Sequence, residues 1–296
     1  MDSKSSNAKC STPVEIATVI IPRIPLDIIE EILDRLVTNS DFQSLKSCAL
    51  VSKSWVQSCR QRLFRTVTLT PQHMDGWLET FPVPEESPAH HVRVLTVWIE
   101  RDGHVAKRCF EYTPWFSAVE KLWLLGGGGL PSWRGPSFWR LPQSVTALAI
   151  DINVITLVQV RDVIAQLPNL DDLSLALSMI VTPVDSRELP GIGTALKGRF
   201  GGQLILWGGS VNKDLINMLL EIPSGLHFTE VQIHSRARNP LPSIVSLTGA
   251  CRKSLVKLSY KLISHRKSPS SPSPADSCVR SINAYATSRC RCPGCR

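Results

Sequence analysis

The chain has 296 residues, 43% hydrophobic and 20% charged, which is apolar enough for a folded core and excludes wholesale disorder. No run approaches the roughly 20 apolar residues of a membrane helix, and nine scattered cysteines, an odd count, argue against a secreted disulfide framework. The net charge of +8 is local: of 33 basic and 25 acidic residues, ten and one lie between Arg252 and Arg296, leaving 23 against 24 elsewhere, so the body carries no general signature of nucleic-acid binding.

Residues 1–21 read as a flexible, Ser-rich leader. Met1 to Cys10 is polar and Val19-Ile20-Ile21 is too short for a signal-peptide core, so a cytoplasmic or nuclear location is expected. From Pro22 the pattern becomes helical. Pro25 suits a helix start, and Asp27, Glu30 and Glu31 complement the positive end of the helix dipole. Ile28, Ile29, Ile32, Leu33 and Leu36 then mark one apolar face of a helix near Pro25 to Val37.

Asp41 can cap a second helix whose apolar positions are Phe42, Leu45, Cys48 and Ala49. Ser52 can cap a third, with Trp55, Val56, Cys59 and Leu63 at helical spacing. Three short helices cannot bury every one of these side chains among themselves. The remaining apolar surface points to a partner.

Three separated stretches resemble an F-box in order and spacing. Ile24-Pro25-Leu26-Asp27-Ile28-Ile29-Glu30-Glu31-Ile32-Leu33 resembles its opening, with Ile24 where the family usually has Leu. Leu45-Lys46-Ser47-Cys48-Ala49-Leu50-Val51-Ser52-Lys53-Ser54-Trp55 resembles its second half, and Arg62-Leu63-Phe64-Arg65 its exit. The resemblance spans residues 22–66. It implies docking on a Skp-type adaptor and, through it, a cullin–RING ubiquitin ligase. Carried over by position, the adaptor-facing residues are Pro25, Ile28, Ile29, Ile32, Leu33, Leu45, Leu50, Val51 and Trp55.

Beyond the helices, residues 67–264 carry a repeat of the form Φ-x-x-Φ-x-Φ. Copies are Phe64/Val67/Leu69, Val92/Leu95/Val97, Val119/Leu122/Leu124, Val145/Leu148/Ile150, Leu170/Leu173/Leu175, Phe228/Val231/Ile233 and Leu255/Leu258/Tyr260, with a further one at Leu204/Leu206. The central residues are spaced by 28, 27, 26, 25, 31, 27 and 27. Alternation inside each copy suits a strand with one apolar face. Helix-like pieces intervene at Gln159–Leu167, Asn212–Ile222 and Ser243–Cys251.

The expected fold is therefore α/β: a small three-helix F-box followed by an irregular solenoid with a parallel sheet. The body resembles a degenerate leucine-rich repeat. The Asn ladder usual in that family has a counterpart only at Asn153. Target contact is expected on the strand face opposite the core, with Trp98, Trp123, Asp151, Trp207 and His234 as the candidates, flanked by Glu100, Asn153, Ser174 and Gln232. Trp is a frequent interface anchor. No capping unit is legible after Leu258, so the last strand is expected at an open edge.

Residues 265–296 read as a disordered basic tail. They contain Ser268-Pro269-Ser270-Ser271-Pro272-Ser273-Pro274 and end in Cys290-Arg291-Cys292-Pro293-Gly294-Cys295. That cysteine spacing matches no zinc motif. Gly126-Gly127-Gly128-Gly129 lacks the Lys and Ser/Thr of a phosphate loop, and Gly191-Ile192-Gly193 lacks a third glycine at dinucleotide spacing. Both read as turns. No nucleophile elbow or His-Glu-x-x-His occurs, so catalysis, metal and cofactor are not expected. The sequence reads as a substrate-recognition adaptor that holds a target protein. The alternatives are an interaction scaffold outside ubiquitin ligation and, more remotely, a nucleic-acid binder acting through the tail.

Overall fold

The computed structural model describes residues 24–99, 112–129, 140–181, 196, 200–208, 212–235 and 242–262. The leader, the tail from residue 263, Glu100 and Gly191–Gly193 lie outside the described residues. Two compact units divide at Cys59 and Arg60.

The first unit is helical: α1 (Leu26–Thr38), α2 (Phe42–Val51) and α3, which begins at Lys53 and ends at Leu63. Pro25 is the N-cap of α1 rather than its first helical residue. Two adjacent stripes run along α1. Ile29 and Leu33 are buried, whereas Ile28 and Ile32, one residue earlier in each case, are exposed. Asp41 caps α2 by accepting the Ser44 N–H at 3.0 Å, and hydrogen bonds from the Ser44 side chain and backbone hold its carboxyl below the usual carboxylate range. Ser52 takes the Ser54 N–H on its hydroxyl. The Ser58 hydroxyl donates to Glu30 Oε1 at 2.5 Å, tying α3 to α1.

The second unit is one eight-stranded sheet in sequence order, every pairing parallel. The strands are β1 (Thr66–Leu69), β2 (Val94–Trp98), β3 (Lys121–Gly129), β4 (Ala147–Thr156), β5 (Asp172–Val181), β6 (Gln203–Trp207), β7 (Glu230–Ser235) and β8 (Lys257–Leu262). The repeat positions come into a single register: Val67, Leu95, Leu122, Leu148, Leu173, Leu204, Val231 and Leu258 pair in succession. Each apolar triplet thus places its side chains on one face, as the two-residue period of a strand requires.

Helices cover that face. α4 (Pro71–Thr80) follows β1, α5 (Leu157–Ala165) follows β4, α6 (Lys213–Leu220) follows β6 and α7 (Pro242–Ala250) follows β7. Their residues Met74, Val160, Ile164, Leu215, Leu219 and Leu247 share one buried core with the strand leucines and with Phe116, Phe200 and Phe228. α5 starts on a capping box in which Thr156 and Gln159 each accept the other's backbone N–H. None of the described helices is long and apolar enough to cross a membrane.

One expectation is corrected here. The four glycines from Gly126 are not a turn but the end of β3, with a register shift against β4 between Gly126 and Gly129. A Cβ on Gly126 would lie 2.5 Å from the Ile99 carbonyl oxygen, so close approach of two backbones selects glycine there. Asn153, the one counterpart of the Asn ladder, is exposed and lies inside β4, which runs on to Thr156. Several hydroxyl groups bond between successive repeats, as does the Asn169 amide, which donates to Gln143 O at 3.0 Å. Ser144 donates to Val119 O, Thr146 to Glu120 O, Thr229 to Gly202 O and Ser254 to Phe228 O.

Candidate functional site

Two surfaces carry the functional candidates, one on each unit. In the helical unit the residues carried over from the F-box resemblance split by burial. Ile29, Leu33 and Leu45 are buried, so they build the unit's interior and are withdrawn from contact with a partner. Pro25, Ile28, Ile32, Leu50 and Val51 are exposed, Leu50 at 89% of its full area. Trp55 is half-buried.

Sequence reasoning passed over Ile24, Leu26 and Phe42, which are exposed large side chains on the same short unit. Their signal was present: Ile24 and Leu26 flank Pro25, and Phe42 follows the Asp41 cap. A small unit that leaves seven large apolar residues uncovered has the composition of an interface. Among the described residues, no group of His, Cys, Asp and Glu is arranged to hold a metal, and the C-terminal cysteines lie outside them.

Residues 21–66 match the family model of the F-box domain. The helical N-terminal region is an F-box. The match coincides with the three helices and their exposed aliphatic residues. F-box domains bind Skp-type adaptors in cullin–RING ligases, so the F-box indicates a role among the adaptors of SCF-type ubiquitin ligases. No curated protein matches the chain. The match ends at residue 66, and the leucine-rich-repeat resemblance of the sheet rests on its period and register alone.

On the sheet unit, the register brings four of the five target-contact candidates into one row. Trp98, Leu125, Asp151, Ala176, Trp207, His234 and Lys261 are successive partners from β2 to β8. Trp123 stands in the neighbouring row with Thr96, Ala149, Ser174, Ile205, Gln232 and Ser259. These positions alternate with the buried leucines, so their side chains leave the sheet on the side away from the core. Trp98, Trp123, Asp151 and Trp207 are half-buried there.

His234 departs from expectation. It is only 7% exposed, with its ring stacked on Trp207 at 3.7 Å and 11°. Burial, helped by the nearby Lys261 charge, pushes its pKa down. Its Nε2 is buried without a hydrogen-bond partner. A neutral, stacked imidazole positions the Trp207 ring; it is not itself a contact surface. Leu125, Ala149 and Thr96 are also buried on this side, whereas the Trp residues, Asp151, Ser174, Gln232 and Lys261 stay accessible.

Proposed function

We propose that this chain is a substrate-recognition subunit of an SCF-type ubiquitin ligase. The F-box docks on a Skp-type adaptor through Ile28, Ile32, Leu50 and Val51, joined by Ile24, Leu26 and Phe42. The sheet unit, read as a leucine-rich-repeat-like solenoid, holds a target protein on the face that carries Trp98, Trp123, Asp151 and Trp207. The observation that supports this reading best is the coincidence of the F-box match with exposed aliphatic residues on the same three helices.

The row from Trp98 to Trp207 crosses four strand spacings, about 19 Å at roughly 4.8 Å each. That width suits a protein surface better than a small molecule. No acid–base chemistry on this chain is needed. Holding the target beside a recruited ubiquitin-conjugating enzyme raises its effective concentration and orients it.

The test is separability. The full chain is co-purified with the adaptor, and ubiquitylation of the proteins it carries is followed. Ile28→Asp should lose the adaptor while keeping the carried proteins. Trp207→Ala should keep the adaptor while losing them. Ubiquitylation that survives either change contradicts the reading.

A further inference from the structure

The end of the sheet departs from the pattern of the other strands. At the shared register position, Leu95, Leu122, Leu148, Leu173, Leu204 and Val231 are at most 2% exposed, whereas Leu258 on β8 is 54% exposed. Val256, Tyr260 and Leu262 are exposed on the same side, as is Val245 on the preceding helix α7. Among the described residues no strand follows β8. Lys257 donates its N–H to Thr229 O at 3.0 Å, so the two-residue alternation turns the backbone groups of Leu258 away from β7.

Charge decides what such an edge accepts. Between Glu230 and Asp276 the sequence holds no acidic residue. Arg252 and Lys253 precede β8, and Lys257 and Lys261 alternate with its apolar side chains. Lys257 is engaged with Glu230 at 2.5 Å, which leaves the local balance strongly positive. A second copy of this edge would set lysine against lysine. Residues 263–296 carry one acid, Asp276, among their cations. Neither matches the edge.

We propose that the β8 edge binds an extended segment of a partner protein as an added strand, in which acidic residues alternate with aliphatic ones. One strand spacing out, its aliphatic side chains would cover Leu258, Leu262 and Val256 on the helix side of the sheet. Its carboxylates would stand beside Lys261 on the other side. Backbone hydrogen bonds supply affinity in this mode, and the alternating side chains supply selectivity. The inference deepens the proposed function, because it states the kind of target segment that the sheet unit would hold.

The experiment uses the full-length chain and a short fluorescent peptide of alternating Glu and Val, read by anisotropy at low salt. A Lys/Val peptide and a Glu/Val peptide interrupted by Pro are the comparisons. Saturable binding of the Glu/Val peptide alone is expected. Lys261→Glu should weaken it about tenfold, and Lys253→Glu with Lys261→Glu should transfer binding to the Lys/Val peptide. Leu258→Pro removes an outward N–H and should abolish binding in a chain whose circular dichroism is unchanged. Equal binding of both peptides, or indifference to Leu258→Pro and Lys261→Glu, overturns the proposal. So does binding that emerges only when residues 263–296 are deleted, since the tail would then be the occupant. Adaptor capture by the same protein is read separately. Peptide binding lost with capture intact sinks this inference alone, and the converse sinks the ligase reading alone.

Discussion

Leu204 and Leu258 occupy the same place in the sequence repeat and the same rung of the sheet register, yet truncating them should have different consequences. Leu204 is fully buried among strand and helix side chains. Leu→Ala at such a site loses both transfer free energy and packing, about 3–5 kcal/mol. Leu258 is 54% exposed. Truncation there removes three methylene-sized groups that are less than half buried, worth about 1 kcal/mol at about 0.8 kcal/mol per fully buried group. The difference of about 2–4 kcal/mol should appear in urea unfolding followed by tryptophan fluorescence, with Trp98, Trp123 and Trp207 reporting on the sheet. Its signature is a lower midpoint for Leu204→Ala at an unchanged denaturant slope. Equal losses at the two positions would refute the reasoning, because they would mean that β8 is covered as fully as β6.

Gly126→Ala should destabilise the sheet unit by about 1–3 kcal/mol, because its Cβ would meet the Ile99 carbonyl oxygen at 2.5 Å. Thermal unfolding checks this, and an unchanged midpoint would contradict the close approach. His234 and His91 are both held neutral by burial, with the Lys261 charge adding at His234 and His90, Arg60 and Arg93 adding at His91. Their folded-state pKa values lie below the unfolded value near 6.5, so the unfolded chain takes up more protons as pH falls through that region. Stability should therefore be full above about pH 6.5 and decline below it, and His234→Asn should flatten the decline in a pH series of melting temperatures. An equally steep decline in the variant would remove His234 as a source.

The strand positions were legible because a sheet covered on one face must repeat its apolar residues at fixed intervals. The triplets at Leu95, Leu122, Leu148, Leu173, Leu204 and Val231 carry that requirement openly. α4 was missed although Thr70, Pro71 and the apolar residues Met74, Trp77 and Leu78 spell out a cap and a helical face. The Gly126–Gly129 strand was not legible, because glycine has no strand preference and pairing with β4 overrides its local tendency to turn. On α1, four aliphatic residues form two neighbouring stripes. The sequence could not say that Ile29 and Leu33 turn inward and Ile28 and Ile32 outward, since that depends on where the other helices pack. The row of Trp98, Asp151, Trp207 and His234 emerged from the repeat phase, but the stacking that buries His234 on Trp207 did not.

The central claim is that the exposed aliphatic residues of the F-box dock the chain onto its adaptor. Co-expression with a tagged Skp-type adaptor, followed by quantitative capture, tests it most directly. The account predicts stoichiometric capture of the wild-type chain and loss of capture for Ile28→Asp and for Leu50→Asp, each with its helical circular dichroism intact. A folded wild-type chain that is not captured, or variants captured as well as wild type, would contradict it.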